Sequence, residues 1–237
     1  MKNKIRICPS ILAGDFAHIA ADAKRAEEAG ADALHVDIMD GHFVPNLTFG
    51  PQMVSALKRS TNLFLDVHLM IYSPFEWVER YIEAGADSIT FHLEATEDVE
   101  DTLNFIRKCN RRAGLALCPE TSPELAMPYL DKCDLILMMT VQPGFGGQSF
   151  MPEVLDHIQF VRKACETRKI GAGGKVFEGP GAPTDPFLIQ VDGGINIDTA
   201  RQVIEAGAND LVAGSHLYNA PDMKAAIEEM RNCMVSK

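Results

Sequence analysis

The sequence lacks an apolar run long enough to span a bilayer, and it is poor in basic residues. Its 22 lysines and arginines stand against 33 aspartates and glutamates, which gives a formal net charge of −11. Such a chain repels a phosphate polymer, so we expect neither nucleic acid nor a membrane as a partner. The six cysteines include no Cys-x-x-Cys pair, and Arg6 interrupts the apolar stretch near the start. These features predict a cytoplasmic protein without a disulfide framework, a zinc knuckle or a signal peptide.

A short local pattern recurs along the chain. Glu-Ala-Gly-Ala-Asp stands at 28–32 and 83–87, and Glu-Ala-Gly-Ala-Asn stands at 205–209. Each copy is typical of a helix end, a glycine cap and a turn into a strand. The first two copies lie about 55 residues apart, which fits two βα units of about 25–30 residues each. A chain of 237 residues then holds about eight such units, the number of a (β/α)8 TIM barrel.

The alternation of strand and helix patterns predicts a parallel eight-stranded core in a single domain spanning 1–237. A Gly/Pro-rich excursion at about 170–186 separates the sixth helix from the seventh strand. We interpret it as a surface excursion, and the alternative is a domain linker. Strands are predicted at 5–10, 33–39, 63–70, 88–94, 115–119, 135–139, 188–192 and 210–213. Helices are predicted at 16–29, 52–59, 75–84, 99–111, 123–130, 153–168, 198–206 and 221–234.

Several strands carry polar residues where a barrel strand is normally apolar. Side chains alternate across a strand, so His35 and Asp37 share one face with Met39. The same alternation gives the predicted inner faces seven histidines and carboxylates, His35, Asp37, Asp66, His68, His92, Glu94 and Asp192. Most of them lie near the carboxyl ends of their strands, where barrel active sites lie. Buried carboxylates are costly, and a cation or a bound substrate would offset that cost.

Two histidines and two aspartates from three strands form the candidate metal site, namely His35, Asp37, His68 and Asp192. Nitrogen and oxygen ligands of this kind suit one divalent ion, Zn²⁺, Fe²⁺, Mn²⁺ or Co²⁺. We interpret Asp66 as a structural hydrogen-bonding residue. His92 and Glu94 are either a buried pair or groups that support the metal ligands. The methionines that end three inner faces, Met39, Met70 and Met139, are either core filler or the dry wall of a site.

Glycine-rich segments follow the last three strands, at 141–148, 192–195 and 213–215. Glycine lets a backbone approach a ligand closely, and the loops after strands seven and eight commonly bind phosphate in barrels. These segments contain no lysine or arginine, so phosphate would be bound by backbone N–H groups and the Ser215 hydroxyl. Tight turns alone are the alternative explanation, because they need glycine as well.

Four segments carry a resemblance to one family. The segments 35–46 (HVDIMDGHFVPN), 66–70 (DVHLM), 139–148 (MTVQPGFGGQ) and 191–195 (VDGGI) resemble signatures of the ribulose-phosphate 3-epimerase family, and the resemblance extends from about residue 9 to about residue 230. It implies a metal-dependent barrel that interconverts D-ribulose 5-phosphate and D-xylulose 5-phosphate. The reaction would invert C3 through an enediolate, within the pentose phosphate pathway. A homo-oligomer, either a dimer or a hexamer, is also implied.

The resemblance also implies residue roles. His35, Asp37, His68 and Asp192 match the metal ligands, and Asp37 and Asp192 match the acid–base pair. The implied substrate-binding residues are Ser10, Met39, His68, Met70, Met139, Gly144, Phe145, Gly146, Gly147, Gly193, Gly194, Gly214 and Ser215. His216 departs from the small residue that is more usual after Ser215, and the excursion at 170–186 is longer than usual.

Three alternatives remain at this point. The first is an epimerase of the same mechanism that acts on a phosphorylated hexulose such as D-allulose 6-phosphate. The second is a decarboxylase or synthase on another phosphate-binding barrel; the decarboxylase pattern Asp-x-Lys-x-x-Asp is absent, because Ile38 and Met39 follow Asp37. The third is a non-catalytic sugar-phosphate binding protein, which would be free to lose one of the two carboxylates.

Overall fold

The computed structural model describes residues 5–170 and 187–234. Its strands are β1 (Arg6–Pro9), β2 (Leu34–Met39), β3 (Leu65–Met70), β4 (Ser88–His92), β5 (Arg112–Leu117), β6 (Leu135–Met139), β7 (Leu188–Asp192) and β8 (Asp210–Ala213). All pairings between them are parallel, in the order β1-β8-β7-β6-β5-β4-β3-β2. An isolated parallel bridge between Ser10 and His35 joins the two ends of that order. The predicted TIM barrel is therefore confirmed.

Helices connect the strands on the outside of the barrel. They are α1 (Ile19–Glu28), α2 (Pro51–Ser60), α3 (Phe75–Ala84), α4 (Val99–Lys108), α5 (Val154–Arg168), α6 (Ile197–Ala206), α7 (Ser215–Tyr218) and α8 (Met223–Asn232). Short 3₁₀ segments occur at Ile11–Ala13, Leu93–Ala95 and Pro123–Tyr129. In the two described ranges, none of the helices combines the length and the apolar character that crossing a bilayer requires.

The two faces of each strand serve different layers. In β2, Leu34, Val36 and Ile38 are buried in the main apolar core between strands and helices. His35 and Asp37 alternate with them and are also buried, on the inner face of the barrel. Two-sided burial explains why the strands look hydrophobic overall, while the inner face alone carries the polar residues.

Several elements differ from the sequence-based prediction. Helix α1 begins at Ile19 and not at 16, and α4 ends at Lys108 and not at 111. Strand β4 ends at His92, so Glu94 lies in a 3₁₀ segment and not in the predicted strand 88–94. Strand β5 begins at Arg112, three residues before the predicted 115. Arg112 and Gly114 both lie in the strand, and a side chain at Gly114 would place its Cβ 2.9 Å from Thr90 Cβ. The predicted fifth helix is the 3₁₀ segment Pro123–Tyr129, because Pro128 lacks the N–H that an α-helix requires in its interior. Helix α7, a single turn, was not predicted.

The Gly/Pro-rich excursion predicted at about 170–186 lies, from residue 171 onward, outside the described residues. The assignment of 1–237 to one domain therefore stays a prediction for the whole chain. Within the described residues, one eight-stranded sheet contains all the strands, and its carboxyl ends meet around one cavity.

Candidate active site

Strand register brings the candidate metal ligands together. In the parallel pairing of β2 with β3, His35 lies opposite Asp66 and Asp37 lies opposite His68. Asp192 ends β7. In the closed sheet, β1 and β8 lie between β2 and β7. One ligand atom each from His35, Asp37, His68 and Asp192 can be chosen so that all four lie within 4.8 Å of one another. The predicted set is therefore a cluster in three dimensions.

The distances inside this cluster centre on Asp37. Its Oδ1 atom lies 3.4 Å from His35 Nε2 and 3.2 Å from His68 Nδ1. Asp192 Oδ2 lies 3.9 Å from the same His35 Nε2. Both imidazole side chains are fully buried, and Asp192 retains 17% side-chain exposure. The nitrogen and oxygen atoms of these side chains thus surround one point, and the partly exposed Asp192 lies between that point and the cavity.

A cation fits this point because a donor atom is left without a partner there. Among the described residues, His35 Nε2 is buried and makes no hydrogen bond. The opposite nitrogen, Nδ1, lies 2.8 Å from Asp66 Oδ2. A carboxylate that accepts from one imidazole nitrogen directs the lone pair of the other toward a metal, and this arrangement is common at metal-bound histidines. Asp66 is therefore the structural hydrogen-bonding residue that the sequence suggested.

The charges around His35 bear on how a cation would bind. Burial lowers the pKa of His35, but the neighbouring Asp37 and Asp66 outweigh burial and raise that pKa well above its ordinary value. Without a metal, the His35 ring therefore carries a second proton, on Nε2. A cation would displace that proton, so metal binding to this cluster weakens as the pH falls.

The two aspartates of the cluster have opposite proton affinities. Burial would raise the pKa of Asp37, but the attraction of His35 and the close contacts with His35 and His68 hold it well below its usual value. Burial and the negative charge of Asp37 raise the pKa of Asp192 to about 7. Ser10 Oγ donates a 2.6 Å hydrogen bond to Asp37 Oδ2 and so fixes that carboxylate. One carboxylate is thus ionised while the other can hold a proton near neutral pH.

A cavity of about 780 Å³ opens above this cluster. Of the predicted site residues, His35 and His68 are fully buried below the cavity, and all others line it. Met39, Met70 and Met139 form part of its wall and are themselves almost wholly buried. An apolar wall next to buried carboxylates limits the access of water, which favours the interpretation of the methionines as the lining of a site.

The glycine-rich loops line the other end of this cavity. Gly193 and Gly194 have φ angles of 119° and 64°, in the left-handed region that glycine tolerates. A Cβ on Gly194 would lie 2.7 Å from the backbone nitrogen of Phe150, so the loops after β6 and β7 touch without side chains. No lysine or arginine is among the described residues that line the cavity. The loops can therefore offer backbone N–H groups to an anion, as the sequence suggested.

Comparison with known proteins decides the family. A sequence model described as "Ribulose-phosphate 3 epimerase family" matches residues 6–218. The chain belongs to this family. Its relatives include the ribulose-phosphate 3-epimerase of Chlamydia muridarum, 48% identical over 217 residues that cover 92% of this chain and 90% of the relative. The enzyme of the same name from Bacillus subtilis is 44% identical and covers 96% of this chain and 98% of its own length.

Solved structures agree on the architecture. The D110N mutant of the tryptophan synthase α-subunit from Pyrococcus furiosus superimposes with a TM-score of 0.68 and 13% sequence identity, over 99% of this chain and all of that one. A likeness at this identity shows the barrel fold alone. The family assignment instead comes from the sequence, and the two-His, two-Asp cluster of this epimerase-family chain agrees with it.

Sequence reasoning missed residues that hold the loops of this epimerase-family site in place. Thr140 Oγ1 lies 2.9 and 2.6 Å from the carbonyl oxygens of Asp192 and Gly193, between which its one hydrogen is shared, and ties β6 to the loop after β7. Asn46 Nδ2 donates a 2.7 Å hydrogen bond to the carbonyl oxygen of Gly144. Both residues belong to the family-like segments 35–46 and 139–148, and that position was a signal for their role.

Proposed function

We propose that this chain catalyses the interconversion of D-ribulose 5-phosphate and D-xylulose 5-phosphate by acid–base inversion at C3. The observation that carries the proposal is the pair Asp37 and Asp192, two carboxylates of opposite proton affinity in one buried cluster. Inversion needs a base on one face of the carbon and an acid on the other. The family membership and the names of the relatives support the choice of substrate.

Each aspartate has a defined task in this mechanism. In one direction Asp37, which is ionised, takes the proton from C3 and leaves a planar enediolate. Asp192, in its protonated form, delivers a proton to the opposite face of C3. The reverse direction exchanges the two tasks, and proton exchange with solvent restores the starting state. Ser10 keeps Asp37 oriented through its 2.6 Å hydrogen bond.

We propose His35, Asp37, His68 and Asp192 as the ligands of one divalent cation, with Zn²⁺, Fe²⁺, Mn²⁺ and Co²⁺ as the candidates. Such a cation supplies a Lewis acid that stabilises negative charge on the substrate oxygens next to C3. Met39, Met70 and Met139 would keep water from the enediolate. The phosphate would be held by loop residues, namely Gly144–Gly147 (a range that includes Phe145), Gly193, Gly194, Gly214 and Ser215.

We also propose a homo-oligomer, a dimer or a hexamer, in the cytoplasm. Large apolar side chains remain exposed on the described surface, among them Leu47 at 73% and Phe16 at 52%, which supports contact with another copy. All six cysteines are free, and five are buried, which suits a reducing compartment.

Proton NMR in D₂O tests the activity. The metal-loaded protein should convert D-ribulose 5-phosphate to xylulose 5-phosphate carrying deuterium at C3, and thorough chelation should stop turnover. A higher kcat/KM for D-allulose 6-phosphate would move the assignment to the hexulose. Binding without conversion by the folded, metal-loaded protein would support a binding role instead.

The residue roles are tested by isosteric variants. Asp37→Asn and Asp192→Asn should each lower kcat about a thousandfold or more, the scale of losing an essential acid–base group. Asp198→Asn is the matched control, because this aspartate lies on α6 with 79% side-chain exposure and should leave kcat unchanged. Near-normal turnover in Asp37→Asn or Asp192→Asn would contradict the two-carboxylate mechanism.

A further inference from the structure

His68 makes a second contact that the proposed mechanism does not use. Its Nε2 atom lies 2.9 Å from Nε2 of His92, and both side chains are fully buried. His92 Nδ1 lies in turn 3.2 Å from Oε2 of Glu94. A row of contacts therefore leads from Asp37 through His68 and His92 to Glu94, at the edge of a second cavity.

Glu94 can only accept hydrogen bonds in this row. Its Oε1 atom accepts the backbone N–H of Cys118 at 2.8 Å and the hydroxyl of Thr121. Burial would raise the pKa of Glu94, but the contacts with His92 and Thr121 outweigh it and lower the pKa to about 2. The side chain is therefore a carboxylate at neutral pH, and its Oε2 atom needs a donor.

Counting protons along the row then fixes every hydrogen. Because Glu94 accepts, a His92 ring that carries a single proton holds it on Nδ1. His92 Nε2 is then an acceptor, so the facing nitrogen of His68 must be the donor. With its proton on Nε2, neutral His68 has a free lone pair on Nδ1, which lies 3.2 Å from Asp37 Oδ1. This is the nitrogen that faces the other metal ligands.

We propose that Glu94 and His92 are positioning residues for the metal site, which hold His68 in the tautomer whose Nδ1 lone pair is available to a cation. The proposal rests on the metal ligands proposed above. Asp66 does the same for His35 through one direct contact, whereas His68 is controlled through a second imidazole. Both histidines of the cluster then have their lone pairs directed inward by carboxylates.

A second metal site at His92, Glu94 and Cys118 is the competing interpretation, since ligand atoms of these three residues also lie within 4.8 Å of one another. A metal there would take the lone pair of His92 Nδ1 and leave the proton of that ring on Nε2. With His68 bound to the first cation through Nδ1, two N–H groups would face each other across 2.9 Å. The two sites therefore exclude each other unless a further proton is lost.

The wild-type protein allows a direct test that needs no substitution. Long-range proton–nitrogen NMR correlations of the zinc-loaded protein should show His92 protonated on Nδ1 and His68 protonated on Nε2. A His92 ring protonated on Nε2 would overturn the proposal. Titration should give one zinc equivalent per chain; a second tight equivalent that disappears in Glu94→Gln would assign Glu94 to a second metal site and would also overturn it.

Glu94→Gln reverses the row without changing its shape. The Cys118 N–H still requires an oxygen at the Oε1 position, so the amide NH₂ group takes the Oε2 position and donates to His92. The proton of His92 then moves to Nε2, and the proton of His68 moves from Nε2 to Nδ1. Zinc affinity, measured by competition with a chelator, should fall about 10–100-fold, the usual cost of losing a partner of a metal-bound histidine.

Glu120→Gln is the matched control. Glu120 lines the same cavity of about 480 Å³ and accepts a hydrogen bond from Gln142, so its loss removes the same charge without touching the row. It should change zinc affinity less than about threefold. In a His92→Phe background, Glu94→Gln should add less than about threefold, because its effect passes through His92. Equal losses of zinc affinity in Glu94→Gln and Glu120→Gln would show that the effect comes from the removed charge alone and would overturn the proposal.

Neither readout requires turnover. If the epimerase assay fails while the tautomers and zinc affinities behave as expected, the activity assignment is wrong and this inference stands. If the assay succeeds while Glu94→Gln binds zinc as the wild type does, the inference alone fails.

Discussion

Asp192→Asn should make the metal-free protein more stable, although it removes a residue proposed for catalysis. Asp192 is held beside Asp37 in a buried cluster, where its ionised form is disfavoured. The amide has nearly the same shape and no charge to bury. A substitution that inactivates the enzyme would thus relieve a cost that the folded chain carries for function.

The pKa of Asp192 gives the sign and the size of the effect. The carboxyl ionises near 3.8 in the unfolded chain and near 7 in the folded one. Because the folded state resists ionisation, the contribution of Asp192 to stability is highest below about pH 4 and is lost as the pH rises through about 7. Each pH unit in that interval corresponds to about 1.4 kcal/mol, so the total loss is about 4 kcal/mol at about pH 8.

Urea unfolding of the chelated proteins, followed by circular dichroism, measures this difference. The stability advantage of Asp192→Asn over the wild type should be about 3 kcal/mol larger at about pH 8 than at about pH 5. Asp37→Asn is the control with the opposite sign, because His35 and His68 hold the pKa of Asp37 low and its charge stabilises the fold. Equal stability of Asp192→Asn and the wild type at about pH 8 would refute the reasoning.

Three further substitutions address other parts of the site. Asp66→Asn should weaken zinc binding about 10–100-fold in a chelator competition, because His35 loses the carboxylate that orients it; unchanged affinity would contradict this role. Gly194→Ala should raise KM about tenfold and change kcat less, since a side chain at φ 64° costs about 1–3 kcal/mol in the loop proposed to bind phosphate; a larger change in kcat than in KM, measured by steady-state kinetics, would contradict this. Gly114→Ala should destabilise the barrel by about 1–3 kcal/mol, because its Cβ would meet Thr90; an unchanged melting temperature would show that the strand yields there.

The sequence was sufficient to predict the barrel and the clustering of His35, Asp37, His68 and Asp192, because each depends on a short-range pattern. Alternation along β2 places His35 and Asp37 on one face whatever the neighbouring strands do. The repeated pattern of a helix end followed by a strand indicates the length of one βα unit. The prediction failed at the start of β5: Gly114 lies inside the strand, where it makes room for the neighbouring Thr90.

The contacts across strands could not be predicted from the same pattern. Periodicity assigns a residue to a face, but it does not say which residue of the next strand lies opposite. The pairing of His35 with Asp66 depends on register, and that of His68 with His92 on how two rings turn inside the barrel. The bridge of Ser10 to His35 likewise appears when the sheet closes. The clustering of the candidate ligands was therefore predictable, whereas the pairing of each histidine with its carboxylate was not.

The absence of lysine and arginine from the described cavity lining has a consequence for how fast substrate arrives. A sugar phosphate dianion approaching a chain of net charge −11 meets no lysine or arginine in the described lining, so side-chain charges there do not steer it into the cavity. Salt screens repulsion, and kcat/KM should therefore rise or stay level as ionic strength increases. A steep fall would reveal a cationic approach path. If backbone N–H groups hold the phosphate as proposed, the described lining binds the charged product without a lysine or arginine.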